Sequence, residues 1–268
     1  MKRRSRAFGP VARALALTAL VGACGSGAAP AATPAGAVAA WAKWGVTPLA
    51  PAPPPPVNRP VELTDSGPVP VIKRIATGQR VVFITVDDGA EKDPQFITMM
   101  RDLRVPITMF LMNDAIKDDY SYFRPLQALG DSIQNHTLHH PVMTTLSEAR
   151  QKAEVCGDQR ILTHEYGTAP YLFRPPYGAG AHSAAVNRAV QACGPRAIVY
   201  WTETMQITGL RYQTADRKLH DGDIILAHFR GPSELKGETM TAMFTNLLKR
   251  IQEQGFAVAR LDDYIQQP

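Results

Sequence analysis

The run Val81-Val82-Phe83-Ile84-Thr85-Val86 leads directly into Asp87-Asp88-Gly89. A continuous apolar run rich in β-branched residues predicts a strand buried on both faces, as in a parallel sheet. Phe96, Met99, Met100 and Leu103 then recur at helical spacing. The alternation continues downstream. Further strands are expected at Ile107–Leu111, Ser132–Asn135, Tyr171–Phe173, Ala197–Trp201, Ile224–Ala227 and Phe256–Ala259. Helices are expected at Ser147–Tyr166, Ser183–Ala192 and Thr239–Gln254. Short strands alternating with helices indicate an α/β domain with a parallel sheet. An open sheet and a closed barrel both fit. The folded stretch, 72–268, is short for an eight-fold barrel, which needs about 250 residues, so a reduced, seven-stranded barrel is expected.

Upstream of this domain the composition changes. Met1 to Arg13 is basic, and Ala14 to Ala23 is apolar but too short to span a bilayer. Residues 1–23 therefore read as an export signal. Val21-Gly22-Ala23-Cys24 resembles a bacterial lipobox, which implies lipidation of Cys24 and a membrane-anchored, exported protein. Residues 24–71 are rich in Ala and Pro, and 11 of the 22 prolines fall between Pro30 and Pro70. Proline fixes φ and withholds a donor, so a disordered, extended linker without helix or ladder is expected, with Trp41 and Trp44 incidental to it.

The whole chain of 268 residues carries a net charge of +5, but five basic residues lie in the export signal, leaving 24 basic against 24 acidic. A neutral body lacks the footprint of a nucleic-acid binder. Beyond Cys24 the cysteines are Cys156 and Cys193. In an exported domain a disulfide between them is the economical reading. A monomer is expected.

In a parallel α/β fold, function lies past the C-terminal ends of the strands. Four polar clusters fall there: Asp87-Asp88-Gly89, His136-Thr137-Leu138-His139-His140-Pro141, Arg174-Pro175-Pro176-Tyr177-Gly178, and His228. A helical turn would set His136 and His140 on one face, where both could grip one ion. Asp88 would complete a His₂Asp set and leave a position open for water. Asp87 would then remain free to accept a proton. Arg174, pinned by two prolines, could hold Asp87 in bidentate geometry. His228 suits a general acid. Leu226, two residues earlier, shares its side and could contact a small acyl group.

These ordered motifs resemble the polysaccharide deacetylases, the NodB-like carbohydrate esterases of family four, over roughly residues 79–268. The resemblance implies a distorted (β/α)₇ barrel, a divalent metal (usually zinc), and removal of acetyl groups from an acetylated polysaccharide. It implies Asp87 as catalytic base and Asp88, His136 and His140 as metal ligands. It also implies that Arg174 orients the base, the Tyr177 N–H serves an oxyanion site, and His228 is the acid. Pro176, Trp201 and Leu226 are expected to wall the substrate site. One family motif, Asp-x-x-Asp-Trp-like, is replaced here by Tyr200-Trp201-Thr202-Glu203-Thr204-Met205-Gln206. Glu203 is the carboxylate that could stand in for its aspartate. N-deacetylation of cell-envelope glycans is the first expectation. An O-acetyl esterase is the alternative, and a non-catalytic metal- or glycan-binding lipoprotein the rival.

Overall fold

The computed structural model describes residues 34–268. Residues 1–23 and Cys24 lie outside the described residues. The N-terminal part holds α1 (Pro34–Lys43), β1 (Val61–Glu62) and β2 (Val71–Ile72). The central part holds β3 (Val81–Asp88), α2 (Pro94–Leu103), β4 (Ile107–Leu111), α3 (Asn113–Ile116), α4 (Arg124–Ala128) and β5 (Ser132–Asn135). Then follow α5 (Glu148–Tyr166), β6 (Leu172–Phe173), α6 (Ala184–Cys193), β7 (Ala197–Val199), β8 (Glu203–Met205) and β9 (Leu210–Tyr212). The chain closes with β10 (Ile224–His228), α7 (Met240–Glu253), β11 (Ala257–Val258) and β12 (Ile265–Gln266).

The main sheet runs β2-β7-β6-β5-β4-β3-β10-β8-β9, and β11 pairs with the start of β3. Every pairing is parallel except the β8–β9 hairpin. The sheet curls into a half-barrel whose edges, β2 and β9, do not pair with each other among the described residues. This is the expected distorted (β/α)₇ architecture, left open. The β8–β9 hairpin, between β7 and β10, was not legible as strands.

β3 is buried on both faces, as its composition predicts. Its alternation separates two cores. Val81 and Phe83 face an inner cluster with Phe110, Leu172, Val199 and Ile224. Val82, Ile84 and Val86 face an outer cluster under α2 and α7. Helix boundaries follow their caps. Asp93 accepts the Gln95 N–H at the start of α2, Ser147 accepts the Arg150 N–H at the start of α5, and Gly167 at φ 71° ends α5. A disulfide joins Cys156 to Cys193 and so α5 to α6. Cys156 lies in the middle of α5.

The expected free linker needs correction over its described part. No proline falls between Pro34 and Pro48, and that stretch is Ala-rich, the best helix-forming composition. Pro34 in the first turn is tolerated there, and α1 forms. Trp41 and Trp44 pack against the outer core, Val46 is buried in it, and the Trp44 indole donates to Asp102 Oδ2 at 2.8 Å. Further on, β1 pairs with β12 and β2 with β7. Residues 34–71 are therefore a strap bound to the domain. Counting prolines over the whole segment hid the proline-free window.

Candidate metal and acid–base site

Period-two alternation brings Thr85 and Asp87 of β3 and Leu226 and His228 of β10 to the inner face, with His228 opposite Asp87 on one rung. Alternation alone would send Asp88 outward. It does not, because Asp88 adopts φ 73°, a left-handed conformation that Asp tolerates better than most residues. Gly89 follows at φ 91°, where a Cβ would meet Ile116 at 2.5 Å, so the turn requires glycine. Two adjacent carboxylates thus share one cavity.

The two histidines converge by a different route from the expected helical turn. Residues 136–140 are not helical. Thr137 at φ 79° and His140 at φ 56° fold the loop back. The outcome is nevertheless a single cluster: Asp88, His136 and His140 offer ligand atoms within 4.8 Å of one another. His136 Nε2 lies 3.5 Å and His140 Nε2 3.3 Å from Asp88 Oδ1.

This donor set fits a divalent cation. His136 Nδ1 faces the Arg174 carbonyl at 2.7 Å. A carbonyl only accepts, so Nδ1 carries the proton and, in the neutral ring, Nε2 presents a lone pair to the cluster. Asp88 Oδ1 is buried without a hydrogen-bond partner. Lone pairs so arranged repel unless a cation stands between them. In the metal-free protein a proton can take the cation's place between these groups: burial alone would raise the Asp88 carboxyl, but the imidazoles, His136 first, then outweigh it and hold it far below the usual carboxylate range. Burial would lower His136, and Asp87 and Asp88 raise it instead. His139 stays apart: it is exposed, and its Nδ1 lies 2.8 Å from Glu154.

Asp87 is held separately. Arg174, fully buried, donates from Nη1 to Asp87 Oδ1 at 2.6 Å and to Thr85 Oγ1 at 2.8 Å. Its remaining donors go to the Val199 and Tyr200 carbonyls. The contact with Asp87 is single, not the expected bidentate fork, because the other nitrogens are committed to these carbonyls. Asp87 Oδ2 is thereby left facing the histidines, 3.7 Å from His136 Nε2.

His228 departs from expectation. Burial pushes it down to about 4, against the opposing pull of Asp87 and Asp88, with Arg230 adding to the depression. No carboxylate pairs with its ring among the described residues. Glu203 does not take that role. It faces the other end of β10, where Thr202 donates to it, and burial with Asp223 nearby pushes it up to about 8.

The expected substrate wall is mostly closed from solvent. Pro176 and Leu226 are buried, and Trp201 is half-buried, stacked on Tyr200 at 4.2 Å. The exposed aromatic is Tyr177, 68% accessible, its ring 4.6 Å from that of His140. Sequence reading also missed Asp158, fully buried on α5, which accepts the His136 N–H. Its position in mid-helix gave no signal.

A half-closed parallel barrel, with two histidines and a carboxylate that could hold a metal at its C-terminal mouth, defines a class of (β/α) proteins. Within that class, residues 74–198 match the polysaccharide deacetylase family. An uncharacterized protein of Streptomyces coelicolor is 38% identical over 73% of this chain and 77% of its own. The peptidoglycan-N-acetylglucosamine deacetylase of Listeria monocytogenes is 23% identical over 75% of this chain, which spans 42% of that protein. A CE4 family pseudoenzyme from Bacillus anthracis shares the fold, with a TM-score of 0.60 and 19% identity over 76% of this chain and 74% of its own. The chain belongs to the polysaccharide deacetylase family.

Proposed function

We propose that this protein is a metal-dependent hydrolase removing N-acetyl groups from a cell-envelope glycan, peptidoglycan or a chitin-like polymer. The observation that carries it is the division of labour between adjacent carboxylates. Asp88 Oδ1 is orphaned beside two imidazoles, while Asp87 is tied to Arg174. A metal carrier would need the first group and has no use for the second.

Asp88, His136 and His140 would hold a divalent cation, zinc being the first choice for this donor set. A bound cation supplies Lewis acidity, lowering the pKa of water toward about 7 and polarising the acetyl carbonyl. Asp87 takes the proton of the attacking water through Oδ2, and Arg174 fixes the carboxylate in place. The Tyr177 N–H serves the developing oxyanion. His228, on the rung opposite Asp87, is the group placed to pass a proton to the departing group, one that it must first receive because burial keeps the free ring neutral. Export with lipidation at Cys24 would place this chemistry at the cell envelope.

A second reading has a specific observation behind it. His228 is depressed to about 4 and lacks the carboxylate that would keep it protonated. An amide nitrogen must be protonated to leave, whereas an alcohol leaves with less help, so an O-acetyl esterase suits this poise. Acetate release from N-acetylated chitooligosaccharide, peptidoglycan and O-acetylated xylan, measured side by side, tests both. Release from an N-acetylated polymer, lost in Asp87→Asn, is expected. Release from xylan alone would establish the esterase, and none from any acetylated glycan would sink the hydrolase reading.

A further inference from the structure

The loop carrying both histidines is strained. Thr137 is β-branched and sits at φ 79°, and His140 at φ 56°. Such conformations are costly and persist only where surroundings over-determine them. Within the loop, Asn135 Oδ1 accepts the Thr137 N–H and Thr137 Oγ1 accepts the His140 N–H; from outside it, one short stretch of α5 makes several of the contacts.

Asp158 is fully buried, and its Oδ2 accepts the His136 N–H at 3.1 Å. Its Oδ1 is buried without a hydrogen-bond partner; the Thr137 N–H donates to Asn135 Oδ1 and the Asn113 N–H to the Thr137 carbonyl. Asp158 therefore holds the loop after β5 at His136, while that loop's Thr137 and Leu138 carbonyls accept the Asn113 and Asp114 N–H groups from the loop after β4. One residue earlier, Gly157 receives Leu138: a Cβ at Gly157 would lie 2.3 Å from Leu138 Cδ1. One turn back, Glu154 accepts the His139 N–H at 3.0 Å. Between these contacts Cys156 is bonded to Cys193, which fixes the stretch to α6.

We infer that the Glu154–Asp158 stretch of α5 is a seat that sets the spacing of His136 and His140, with Asp158 and Gly157 as positioning residues for the cation. None of them points a donor atom into the cluster. They act on the loop backbone, which has no regular secondary structure to define its shape. The inference rests on the metal-site reading above.

The test is metal affinity, measured by competition with a chromophoric chelator on the metal-free full chain, and the visible spectrum of the Co²⁺ form. Wild type should bind one equivalent of zinc. Asp158→Asn should weaken binding about 10- to 100-fold, the usual effect of removing an outer partner of a ligand, and should alter the Co²⁺ spectrum. Gly157→Ala should weaken zinc binding too. Leu138→Ala added to Gly157→Ala should restore at least part of the affinity, since it vacates the space the new methyl needs. A merely structural role would shift the melting temperature and leave the affinity of the folded protein and its spectrum unchanged. Zinc binding by wild type with unchanged affinity in Asp158→Asn and Gly157→Ala would overturn the seat and leave the metal site standing. Absence of zinc binding in wild type would overturn both.

Discussion

Asp87→Asn should cost more stability than the neighbouring Asp88→Asn, and both should cost activity. Arg174 is 0% and Asp87 4% exposed at the side chain. The other partners of the guanidinium are the Thr85 hydroxyl and the carbonyls of Val199 and Tyr200, all neutral. Asparagine keeps an oxygen where Asp87 Oδ1 accepts, so the hydrogen bond survives and the charge is lost. Leaving one member of a buried pair uncompensated costs about 3–5 kcal/mol, and the retained hydrogen bond favours the lower figure, about 3 kcal/mol. With a urea slope of about 3 kcal/mol per molar, the midpoint should fall by about 1 M. Asp88 has no arginine partner and its Oδ1 is unsatisfied, so Asp88→Asn should shift the metal-free midpoint less than Asp87→Asn does. Metal binding should show the reverse order, retained in Asp87→Asn and lost in Asp88→Asn. Urea titration of the chelator-treated proteins, followed by fluorescence, checks the first half, and zinc competition the second. Equal midpoints in the two variants, or equal loss of zinc, would refute the separation of roles.

Lowering the pH should destabilise the metal-free protein through His228. Its folded value lies near 4 against 6.5 for the free side chain. Between those values the unfolded chain binds a proton that the folded chain refuses, so stability is full above about pH 6.5 and falls as pH drops toward 4. The loss approaches about 3 kcal/mol at 1.36 kcal/mol per pH unit, and His228→Gln should show a flatter slope in urea titrations across this window. Trp44→Ala should cost about 2 kcal/mol, less than full aromatic burial because the ring is only half-buried, measured as a lowered urea midpoint. An unchanged midpoint would return residues 34–71 to the status of a free linker.

Much of this arrangement was legible from the sequence because burial on both faces leaves a plain mark. Val81–Val86 reads as a strand from composition, and polar residues at the ends of such strands can go only to the mouth of the sheet. Local spacing was a poorer guide. Four residues between His136 and His140 suggested a helical turn, yet the rings meet through positive φ at Thr137 and His140. Local bonds, the Thr137 N–H to Asn135 Oδ1 and the His140 N–H to Thr137 Oγ1, accompany those angles, together with contacts from Gly157 and Asp158 on a helix that no local pattern reaches. The strap was missed because proline content was averaged over a segment whose helix occupies the proline-free part. Glu203 was misjudged because its neighbour Asp223 lies just before another strand, and only the register of β8 on β10 brings the two carboxyls together.

The central claim is that Asp88, His136 and His140 form one cation site. Metal content after dialysis against a small excess of zinc, by mass spectrometry of the elements, tests it most directly. One zinc per chain is expected in wild type, and close to none in His136→Ala or His140→Ala with the fold intact by circular dichroism. Zinc retained at one equivalent in both variants would contradict the account.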